Sequence, residues 1–175
     1  MKRLILVAVV IASGLLIGCT GNSERLTCDS NGIHAAYLQA ASLDHRLHLN
    51  PKAAGTLNPD LRALWGRDID CSHHPELSSK AHSEYAMTLL MANADGALIE
   101  YANKNDPAAR RYAGRFLFLA QIIEGGDPTG GFASVIDYAR SMQPEIAEYD
   151  RMLRRKGIPR AQINEKQIMA LRPVR

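Results

Sequence analysis

Three cysteines in 175 residues are too few and too widely spaced to form any Cys-x-x-Cys pair, and no His-Glu-x-x-His is present, so the familiar zinc signatures are missing. No Gly-x-Ser-x-Gly elbow occurs, which leaves an α/β-hydrolase site unsupported. The glycine-rich stretch from Gly125 to Gly131 lacks the Lys-Ser/Thr of a phosphate loop and follows no strand, so its glycines serve turn geometry. Sustained apolar–polar alternation is absent. Asp95-Gly96, a hairpin-like dipeptide, has flanks patterned as helix, and sheet folds are disfavoured. No apolar run reaches the about 20 residues that a permanent spanning helix needs. Charge of one sign is lacking too: 21 Lys and Arg stand against 18 Asp and Glu, and nucleic acid is not an expected partner.

What is present begins at the amino terminus. Lys2 and Arg3 give a positive start, Leu4 to Ile17 form an apolar run of 14 residues, and Leu16-Ile17-Gly18-Cys19 closes it. A run of this length between a basic start and a small residue suits a signal-peptide core better than a membrane span. The four closing residues resemble the lipobox of bacterial lipoproteins. That resemblance implies cleavage before Cys19, a diacylglycerol thioether on its sulfur and an acyl group on its new amine. Two or more chains anchor stably where one does not. Thr20 stands where an aspartate commonly retains Gram-negative lipoproteins in the inner membrane, so the resemblance points to the outer membrane, facing the periplasm. The expected organisation is a signal peptide over 1–18, a lipidated cysteine and polar tether over 19–30, and one helical domain over 31–175.

Export also bears on Cys28 and Cys71. In an oxidising compartment these two pair by default, closing a loop of about 43 residues worth roughly 4 kcal/mol on the chain-entropy model. Charge is unevenly spread: eight of the 25 residues from Arg151 to Arg175 are basic and only Glu165 is acidic. Arg154, Arg155, Lys156 and Arg160 are the candidates for contact with an acidic partner or anionic headgroups, with a merely solvated face as the plainer reading.

From about residue 31 the pattern is helical. Ile33, Ala36, Ala40, Leu43 and Leu47 recur at helical spacing and predict a helix over 31–48. Asn50-Pro51 and Asn58-Pro59 resemble helix starts, the second opening a short helix over 59–65, and 67–75 reads as loop. Ser78 or Ser79 caps a central helix running towards Lys104, with Asn93, Asp95 and Gly96 marking a kink, a break or a polar group with a task. Asp106 as N-cap and Pro107 restart the chain. Pro144 breaks or restarts the helix beginning near Phe132, Gly157 caps its end, and a last short helix is expected over 160–171. The expected fold is all-α, with about five to seven short helices packed as helical hairpins or an irregular bundle.

Chemistry concentrates in Asp68, Asp70, Cys71, His73, His74, His82 and Glu84. Imidazole and carboxylate together suit zinc, and His73, His74 and His82 are the candidate ligands, although the spacing matches no signature. His34, His45 and His48 lie near one helix face. Glu76, Glu84, Glu100 and Glu124 read as helix surface. Tyr85, Tyr101, Tyr112, Tyr138 and Tyr149 recur in the helical core, where they pack or line a peptide groove. No catalytic constellation and no cofactor follow from the sequence. The expectation is a lipid-anchored periplasmic protein-interaction module with an envelope protein as partner: an adaptor, inhibitor, immunity or exclusion factor. A metal-assisted hydrolase of cell-wall material and a structural part of a secretion or conjugation machine are the alternatives.

Overall fold

The apolar stripe of residues 33–47 becomes the buried face of α1 (Ser30–Leu49), whose start is fixed by Asp29, its side chain accepting from the Gly32 N–H at 2.7 Å. The computed structural model describes residues 27–65, 71, 78–125 and 132–160. After α1 a 3₁₀ turn (Pro51–Leu57) runs directly into α2 (Asn58–Trp65). Then follow α3 (Ser79–Ala102), α4 (Asp106–Glu124) and α5 (Phe132–Arg155). The protein is all-α, with no strand among the described residues. The last helix expected over 160–171 lies outside them, apart from Arg160.

α3 is the axis of the fold. It packs against α1, α2, α4, α5 and the 3₁₀ turn. Its caps are local: Ser78 accepts from the Ala81 N–H at 3.2 Å. At its other end, Lys104 takes a left-handed φ of 59°, while the N–H groups of Lys104 and Asn105 reach the carbonyls of Tyr101 and Glu100. This is the paired closure of a Schellman turn.

Several sequence expectations need correction. Asn93, Asp95 and Gly96 do not break α3; the helix is continuous through them and all three are buried. Gly96 is there for closeness: a Cβ on it would stand 2.8 Å from the Tyr112 ring of α4. The N-cap of α4 is Asn105 and not Asp106. Asn105 is already fixed by the end of α3, its side chain donating to Glu100 at 2.7 Å, and its carbonyl accepts from the Ala109 N–H. Asp106 thereby falls in the first turn and is released to pair with Lys156 at 2.9 Å. Asn58 is no N-cap either, because its helical backbone continues the 3₁₀ turn into α2. Pro144 neither stops nor restarts α5, which runs through it. Both Pro144 and Arg140, whose carbonyl loses its helical donor, are exposed, so the deficit falls on the wet side of the helix. Gly157 ends α5 as expected, with φ +77° and the N–H groups of Gly157 and Ile158 closing onto Arg154 and Leu153.

Candidate functional site

Most buried polar groups in helical cores are satisfied by the turn before them, and Thr88 follows that rule by donating to the Glu84 carbonyl at 2.7 Å. Asp95 does not. It sits in the middle of α3 with 0% exposure, and neither carboxyl oxygen accepts a hydrogen bond. The charged side chain that acts on it is Asp44 of α1. From α5, the Tyr138 hydroxyl donates to Asp44 Oδ1 at 2.6 Å. His48, one turn along α1, places Nδ1 3.5 Å from the other Asp44 oxygen and 2.8 Å from the Asp44 carbonyl. Three helices thus converge on two carboxyls and a phenol.

The electrostatics follow from burial. Desolvation first, then the Asp44 charge and the hydrogen bond to it, hold the Asp95 carboxyl well above the usual carboxylate range. The absence of donors and this shift agree, because a buried carboxyl that no donor reaches is costly to ionise. The Tyr138 phenol is raised by the same causes: burial first, then Asp95 and Asp44, with a smaller push from Glu145.

Around this centre the sequence candidates fall out unevenly. Cys28 and Cys71 are brought into disulfide geometry, with sulfurs 2.16 Å and Cα atoms 5.4 Å apart. The Cys71 N–H donates to the Tyr85 hydroxyl of α3 at 3.0 Å. Cys19, His73 and His74 lie outside the described residues. His82 is half-buried in the first turn of α3, and no group of three potential metal ligands is found among the described residues. Of the second histidine set, His34 binds Glu84 of α3 at 2.9 Å and His48 turns to Asp44, while His45 is exposed. Glu84 and Glu100 are not helix surface: Glu84 is mostly covered against His34, and Glu100 is buried against Asn105.

The basic residues separate into two pairs. Arg154 and Arg155 are exposed in the last turn of α5. Lys156 is held by Asp106 and lies 5.2 Å over the Tyr101 ring, and Arg160 folds against Gly114 of α4. The tyrosines prove to be fasteners between helices: Tyr101 meets Tyr149 edge-on at 4.8 Å, and Tyr112 stacks with Trp65 at 5.7 Å. Asp44 and Tyr138 gave no sign of belonging together in the sequence. Asp95 did, as a charged residue amid an apolar helix.

No family model, curated protein or solved structure matches the chain.

Proposed function

We propose that this chain is a lipid-anchored bacterial envelope protein that works through its surface, as an adaptor, inhibitor, immunity or exclusion factor facing the periplasm. The observation that carries the reading is Leu16-Ile17-Gly18-Cys19 at the end of a short apolar run. Three features support it. Among the described residues no helix is long and apolar enough to cross a membrane, so a bilayer attachment would rest on the acylated cysteine. The Cys28–Cys71 geometry suits an oxidising compartment. The polar constellation of Asp44, Asp95 and Tyr138 is turned inward, while Arg154, Arg155, Leu38 and Leu49 offer charge and apolar surface outward.

The test joins address and partner. Cells fed a labelled fatty acid should incorporate it into the wild-type protein and not into Cys19→Ser. A photo-crosslinker placed at Arg155 should give one dominant adduct with an envelope protein in intact cells. Intact mass showing residues 1–18 retained and no added acyl chain would overturn the address. A crosslinker that yields no discrete adduct would overturn the interaction role.

A further inference from the structure

The inward cluster has a use beyond any surface role. A fully buried carboxyl with no donor to it is costly in its charged form, and Asp95 is such a group at the place where α1, α3 and α5 meet. We propose that Asp95 and Asp44 share one proton across the α1–α3 interface, and that its loss as pH rises loosens α1 from α3. The pair is then a proton-dependent latch.

The groups that act on this pair come from two neighbouring helices. α1 supplies Asp44 and His48, and α5 supplies Tyr138, itself influenced by Glu145. None of these is a Lys or Arg, so no fixed positive charge among them can neutralise a second carboxylate. His48 can do so only in its protonated form. The Asp95 proton has a way out by way of Asp44, whose side chain is 18% exposed. On release the proton passes to water and leaves two carboxylates facing each other, with Tyr138 as the remaining donor to Asp44. Repulsion in that state acts along the α1–α3 contact.

The sign follows from linkage. A carboxyl whose folded-state affinity for protons exceeds its unfolded one binds more protons when folded, so its contribution to stability is complete in acid and declines as pH rises through its folded titration. One linked proton changes the folding constant by up to about tenfold per pH unit across that window. Asp95→Asn keeps the shape, supplies an N–H donor to Asp44 and cannot ionise. Thermal and denaturant unfolding of the full chain from mildly acid to alkaline pH should show wild type losing stability with rising pH relative to Asp95→Asn, with the variant the more stable at alkaline pH. Amide exchange of α1 in wild type should accelerate over the same window beyond its rise in the variant. Parallel stability profiles for the two proteins would overturn the latch. Should Asp95→Asn fail to fold, infrared spectroscopy of wild type decides. A protonated carboxyl band that disappears as stability falls supports the proposal, and no such band at any pH refutes it.

Discussion

α3 and α5 are both 24 residues long, yet they answer to different surroundings. α3 is enclosed by every other helix, and its continuity through Asn93, Asp95 and Gly96 is imposed by packing. α5 has a buried side running from Phe132 to Leu153 and a wet side, and its continuity through Pro144 is permitted by exposure. A polar residue in the enclosed helix is retained by its neighbours, and a proline in the half-exposed helix is tolerated because water takes the orphaned carbonyl. Irregular residues therefore interrupt a helix only where neither the core nor the solvent can absorb them.

That contrast can be strained from either side. The largest effect is expected at Gly96→Ala, where the added methyl meets the Tyr112 ring and the Trp65 stack behind it. A loss of about 2 kcal/mol in denaturant unfolding is expected, overpacking exceeding the gain in helix propensity. A neutral result would mean that α3 is held less tightly than its enclosure implies. Next comes Pro144→Ala, which restores a donor on the wet face and should raise stability by about 1 kcal/mol, less than the full cost of an interior proline because the unfolded chain also gains freedom. A destabilised variant would show that the proline shapes α5 and is not merely tolerated. Smallest is Arg151→Ala, which removes an exposed pair with Glu148 on α5. A change below about 0.5 kcal/mol is expected for a pair of this kind, and a larger one would mark that face as part of a network.

The all-α class and the bounds of α1, α2 and α3 were legible because apolar spacing, Ser78 and the proline positions are local signals. The start of α4 was misplaced by one residue for a non-local reason: Asn105 is claimed by Glu100 of the preceding helix. The Cys28–Cys71 pairing was legible from the count of cysteines once export was assumed, and their placement agrees with it. The acid pair was legible by half. Asp95 stood out against its apolar helix, but Asp44 drew no notice and Tyr138, 94 residues away in the chain, read as one of several core tyrosines. Sequence spacing describes one helix at a time, and this cluster exists only where three of them cross.

The bridge at Cys28 also has a mechanical meaning. It stands immediately before Asp29, the cap of α1, and its other end, Cys71, is buried and bonded to Tyr85 of α3. Tension arriving along the chain from the amino-terminal side meets a covalent strut before it meets a helical hydrogen bond. The load is handed to the middle of the fold, and the first turn of α1 is spared from peeling.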